Sequence, residues 1–124
     1  MIGYVSVGTN DMERAAKFYD ALLAEVGASR IMDYETFIVW SAGHGKPGFA
    51  VAKPYNGNAA TVGNGVMIAL GADSPAKVDA LYKKAIELGG TDEGAPGPRG
   101  DGGFYAAYFR DLDGNKLNAF CMAK

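Results

Sequence analysis

Apolar and polar positions along the chain fall into two runs with the same succession of periods. From Ile2 to Val7 and again from Val66 to Leu70, β-branched and apolar residues form short strand-like stretches, each followed by a Gly and a polar step. The spacing then changes to three and four residues. Met12, Ala15, Phe18, Tyr19 and Leu22 share one helical face in the first run, and Val78, Leu81, Tyr82, Ala85 and Ile86 share one in the second. Asn10 or Asp11, and Asp73 or Ser74, stand where a side-chain oxygen can accept from the free N–H groups of a helix start. Pro75 sits where no N–H is needed. Gly27, and Gly89 or Gly90, mark the helix ends, because Gly readily takes the left-handed conformation after a last turn.

A shift of 63 positions superposes the two runs without a gap. Val5 then meets Ile68, Gly8 meets Gly71, Asp11 meets Ser74, Tyr19 meets Tyr82 and Gly27 meets Gly90. Further strand-like runs follow each helix: Ser29 to Met32, Thr36 to Ser41 and Gly48 to Lys53 in the first half, then Thr91 to Ala95, Gly103 to Arg110 and Lys116 to Met122 in the second. Segments rich in Gly, Pro and Asn supply the turns and the linker. The chain therefore reads as one α+β domain of two tandem βαβββ modules, about 1–57 and 64–124.

Composition narrows the function classes. With 124 residues, 48% hydrophobic and 21% charged, the chain can bury a core of its own. Twelve basic and fourteen acidic residues, net −2, leave no basic footprint for nucleic acid or an anionic membrane, so neither is expected as a partner. The longest apolar runs fall far short of a bilayer core of about 30 Å, and the start MIGYVSVGTND lacks the pattern of an export signal, so a cytoplasmic setting is expected. The single Cys121 excludes an internal disulfide and reads as buried packing.

The paired modules, with the entry GYVSVGTNDMERAAKFYDALL and the closing FRDLDGNKLNAF, resemble the glyoxalase, bleomycin-resistance and extradiol-dioxygenase (vicinal oxygen chelate) superfamily over nearly the whole chain. The resemblance implies sheets curled into an incomplete barrel around a small-molecule cleft, often completed in a homodimer. Phe18 and Tyr19 read as helix-to-sheet packing, and Asp113-Gly114-Asn115 as a hairpin turn that sets strand register. Metal-dependent relatives carry a His in the first strand of each module and a Glu in a late strand of each. Tyr4 and Met67 stand at the His positions, Asn118 stands at the closing acid, and Gly48 to Lys53 holds neither acid nor His. A phenol, a thioether and a neutral amide are poor ligands for the divalent ions concerned, so no metal or other cofactor is expected. His44, the single His, lies in the turn AGHGKPG and reads as a solvated loop residue.

Tyr4, Met67 and Asn118 together suit an organic ligand in a largely apolar cleft. Further candidate contacts are Trp40, in the strand TFIVWS; Arg99, a loop cation able to fix a carboxylate or phosphate; and Tyr105. Alternation along GFYAAYFR puts Tyr105 and Phe109 on one face and Phe104, Tyr108 and Arg110 on the other, and leaves open which lines the cleft. Three functions compete: a metal-free binder of a small organic molecule, favoured here; a glyoxalase-like lyase or isomerase, or a dioxygenase, with an atypical site; and an accessory module with a vestigial cleft. General acid–base work could draw only on Tyr4, His44 or Asp101, none with a visible partner.

Overall fold

Both helices start at the caps the sequence offers. In the computed structural model, which describes residues 1–122, the side chains of Asp11 and Ser74 accept from the backbone N–H groups of Arg14 and Lys77. The helices α1 (Met12–Ala24) and α2 (Pro75–Glu87) end before Gly27 and Gly89, whose φ values of 76° and 100° lie in the left-handed region that Gly tolerates. Around them run β1 (Tyr4–Gly8), β2 (Ser29–Tyr34), β3 (Phe37–Ser41) and β4 (Gly48–Ala52), then β5 (Ile68–Gly71), β6 (Thr91–Pro98), β7 (Phe104–Arg110) and β8 (Lys116–Met122).

The order is βαβββ twice. Each module forms its own four-stranded sheet, β1-β4-β3-β2 and β5-β8-β7-β6, with one parallel pair beside two antiparallel ones. No ladder joins the sheets, so they do not close into a barrel within the chain. β6 runs further than the sequence suggests and carries Pro96 and Pro98. It is an edge strand, where a missing N–H is tolerated, and its ladder shifts register on either side of Gly94.

One core serves both modules. Phe18, Tyr19, Leu22 and Leu23 of α1 pack with Ile38, Trp40, Phe49 and Val51, in a cluster that also takes in Val78 and Leu81 of α2 and Phe109, Leu117 and Cys121 of the second sheet. Phe18 and Tyr19 are the helix-to-sheet packing expected, at 2% and 1% exposure, and Cys121 is a buried free thiol.

The 111–115 turn does more than reverse the chain. Asp111 is buried, and its carboxylate accepts from the Tyr19 hydroxyl at 2.6 Å, from Asn115 Nδ2, and from the backbone N–H groups of Asp113 and Asn115. Asn115 Nδ2 also donates to the Gly8 carbonyl, while Asp113 accepts from the Thr9 hydroxyl, the Asn10 N–H and Arg14 Nη2. The closing turn of the second module thereby clamps the β1–α1 junction of the first. Burial, followed by the charge and hydrogen bond of Asp111, holds the Tyr19 phenol well above its ordinary pKa.

Candidate functional site

Strand pleating separates each sheet into a face against the helices and an open face. In the second sheet Tyr108 stands opposite Asn118 and Arg110 opposite Lys116, while Leu117, Ala119, Ala107 and Phe109 on the other face belong to the core. The open face therefore presents Phe104, Tyr108 and Arg110 of β7 with Lys116, Asn118 and Phe120 of β8. Tyr105 turns the other way: it packs against the core and its hydroxyl donates to Asp79 of α2 at 2.7 Å, a bond that raises its pKa. Of the two sets offered by GFYAAYFR, the Tyr108 set takes the open face.

The remaining sequence candidates divide. Asn118 is 2% exposed, and its Oδ1 is the one buried side-chain oxygen or nitrogen without a hydrogen-bond partner among the described residues. An unsatisfied group of this kind costs about 1–3 kcal/mol. Met67, just before β5 and outside the sheet, borders a depression together with Arg110 and Lys116. Tyr4 belongs to the first sheet, where its largely exposed ring meets Phe37 edge-on at 6.0 Å. Trp40 faces α1 within the core, 1% exposed, and its Nε1 donates to Asp20. Arg30 also donates to Asp20 through two nitrogens and holds that carboxyl below its ordinary pKa. Arg99 spends Nη1 and Nη2 on the carbonyls of Gly97 and Ala95, with its guanidinium 5.4 Å from the Tyr108 ring centre. His44 is exposed in the β3–β4 turn.

A depression of about 590 Å³ lies elsewhere. It runs between the end of α1, β1 and β5, with Val5, Leu23, Trp40, Phe49 and Leu70 among its walls, and shares only Met67 and Trp40 with the candidates. Its walls are largely apolar, with Ser41 and Lys46 as the polar side chains and no carboxylate, so it offers space with little acid–base chemistry. The open sheet faces, with their polar groups at strand centres, are the better candidate.

A family model matches residues 1–119. The chain belongs to the Glyoxalase/Bleomycin resistance protein/Dioxygenase superfamily. It is similar to a glyoxalase/bleomycin resistance protein from Albidiferax ferrireducens T118 at 38% identity, covering 98% of each chain with a TM-score of 0.89. A hypothetical protein, SA1046 from S. aureus, follows at 25% identity, 98% and 92% coverage and a TM-score of 0.72. Lactoylglutathione lyase from Agrobacterium tumefaciens shares the fold at 19% identity, 98% and 92% coverage and a TM-score of 0.71. No curated protein matches the sequence. No helix of the described residues is long and apolar enough to cross a membrane.

Tyr4, Met67 and Asn118, the residues that the sequence leads one to expect at the superfamily's metal-ligand positions, are of types that fit a divalent ion poorly. Such ions are held by imidazole nitrogens and carboxylate oxygens, whereas this set offers one phenol, one thioether and one neutral amide, with Tyr4 and Asn118 on different sheets. Among the described residues no three His, Cys, Asp or Glu side chains gather closely enough to hold a metal. Two open-face residues, Tyr108 and Lys116, were not singled out by sequence reasoning. The pairing of Tyr108 with Asn118 across the β7–β8 ladder was the signal that could have found them.

Proposed function

We propose that this superfamily member binds a small organic molecule on its open sheet faces without a metal, and that it is a binder and not an enzyme. The observation that carries this is Asn118: a neutral amide, opposite Tyr108 in the β7–β8 ladder, buried, with an acceptor oxygen that has no partner among the described residues. A ligand hydroxyl or N–H that displaced the groups covering that oxygen would satisfy it, and the neighbouring Tyr108 ring would pack against an apolar body. A lyase, isomerase or dioxygenase with an atypical site would need a tuned acid or base. Tyr4, His44 and Asp101 make no side-chain hydrogen bond among the described residues.

A second copy of the chain completes the cleft in this proposal. Tyr4, Met32 and Tyr34 on the first sheet and Met122 on the second are 61%, 48%, 64% and 58% exposed, more apolar surface than a lone open sheet comfortably shows to water. A cytoplasmic setting accords with the free thiol of Cys121. Metal analysis of untagged protein, with thermal shifts measured across divalent ions, tests the central point. Negligible metal and no ion-dependent stabilisation are expected; stoichiometric metal with a large ion-specific rise in Tm would overturn it. Sedimentation equilibrium tests the dimer, which a monomer at micromolar concentration would refute.

A further inference from the structure

Charge on the open face of the second sheet runs against that of the chain. The protein is net −2, yet Arg99, Arg110 and Lys116 surround Tyr108, and among the described residues Glu93 is the one carboxylate paired with any of them. Arg110 and Lys116 stand directly opposite each other in the β7–β8 ladder. Like charges in such a pair have Cβ atoms about 5 Å apart and destabilise the sheet. The repulsion is only partly answered. Glu93 accepts from Arg110 Nε at 3.1 Å and the Gly114 carbonyl accepts from Nη1 at 2.8 Å, which leaves Nη2 without a partner among the described residues. Lys116 pairs with no carboxylate there; its Nζ rests 5.6 Å from the Tyr108 ring centre.

These two cations form one wall of a depression of about 490 Å³, and the linker between the modules forms the other with Gly63, Asn64, Gly65 and Met67. No carboxylate lines it. The backbone N–H groups of Asn64 and Gly65, on this exposed segment, donate to nothing within the described residues. Asn118 lies two residues beyond Lys116 on the same face, about 7 Å along the strand, with its Oδ1 buried and unpartnered among the described residues.

We infer that this corner is an anion seat: Arg110, Lys116 and the linker hold the carboxylate or phosphate of a small organic ligand whose body extends over Tyr108 toward Asn118. The inference rests on the proposed small-molecule binding and adds the class of ligand. An anion between Arg110 and Lys116 relieves the cross-strand repulsion, which a neutral ligand cannot do. Arg99, already committed to two carbonyls, orients the Tyr108 ring and is not a primary anion contact.

The test is a proton–nitrogen NMR titration of the full chain with benzoate, phenyl phosphate and benzyl alcohol, three probes of similar size that separate carboxylate, phosphate and neutral head groups. Saturable shifts at Asn64, Gly65, Arg110 and Lys116 are expected with at least one anion, and much weaker ones with the alcohol. Lys116→Gln should weaken anion binding about fivefold, whereas Lys17→Gln, the same loss of charge on exposed α1, should leave it unchanged. Equal binding of benzyl alcohol at these residues, or undiminished anion binding by Lys116→Gln, would overturn the anion seat while leaving small-molecule binding intact. Absence of saturable shifts with all three probes would overturn both.

Discussion

Replacing Tyr19 by Phe removes one oxygen from the centre of the molecule and leaves its packing volume otherwise unchanged. Tyr19 is 1% exposed, and its hydroxyl is one of four donors to the Asp111 carboxylate, the others being Asn115 Nδ2 and the backbone N–H groups of Asp113 and Asn115. Those three remain in Tyr19→Phe, so the loss is one hydrogen bond to a charged group, about 1.5–3 kcal/mol. At a urea m-value of about 2 kcal/mol/M this moves the unfolding midpoint down by about 1 M. The single Trp40, 5.9 Å from the Tyr19 ring, reports the transition by fluorescence.

A second arm of the same experiment uses pH. The folded state raises the Tyr19 pKa, so its contribution is complete below the unfolded value of about 10 and is lost as pH rises from there through the folded value. The gap between wild type and Tyr19→Phe should therefore be constant at neutral pH and shrink above pH of about 10, by at most about 1.4 kcal/mol per pH unit. Comparing the two proteins cancels the other tyrosines. A difference below about 0.5 kcal/mol at pH of about 8, or one that ignores alkaline pH, would refute the role given to this hydrogen bond.

Asn115→Ala breaks the bonds to Gly8 and Asp111 together, and should cost about 2 kcal/mol in urea unfolding and speed hydrogen exchange at Thr9 to Asp11 more than at β3; uniform exchange would contradict the clamp. Asn118→Leu removes an unsatisfied buried oxygen at similar volume and should be neutral or up to about 1 kcal/mol stabilising, so a clear loss of Tm would mean that the amide already has a partner. Gly90→Ala would place its Cβ 2.8 Å from the carbonyl oxygens of Ala85 and Arg110, both backbone, and should destabilise by about 1–3 kcal/mol; an unchanged urea midpoint would contradict that crowding.

The periods of the chain were enough for the tandem βαβββ order, because helix stripes and strand alternation are local properties repeated at a spacing of 63 residues. Asp11 and Ser74 were legible as caps for the same reason: a cap acts three residues away. The residue types of Tyr4, Met67 and Asn118, a phenol, a thioether and a neutral amide, are likewise plain from the sequence. The site's composition beyond them is not. Alternation says that Tyr105 and Tyr108 point to opposite faces; only the packing of α2 on the second sheet decides that Tyr105 meets Asp79 and that Tyr108 stays open.

The 111–115 turn shows the same division. Gly114, at a φ of 90°, marks a chain reversal from sequence alone. That Asp111 would reach Tyr19 across 92 residues, and Asn115 reach Gly8 across 107, depends on how the modules dock. Local propensity determined the order and type of the strands and helices in this protein, though not every boundary, as β6 shows. The tertiary structure decided which polar groups meet, because partners distant in the chain are chosen by the docking of whole faces and not by any feature of their neighbours in sequence.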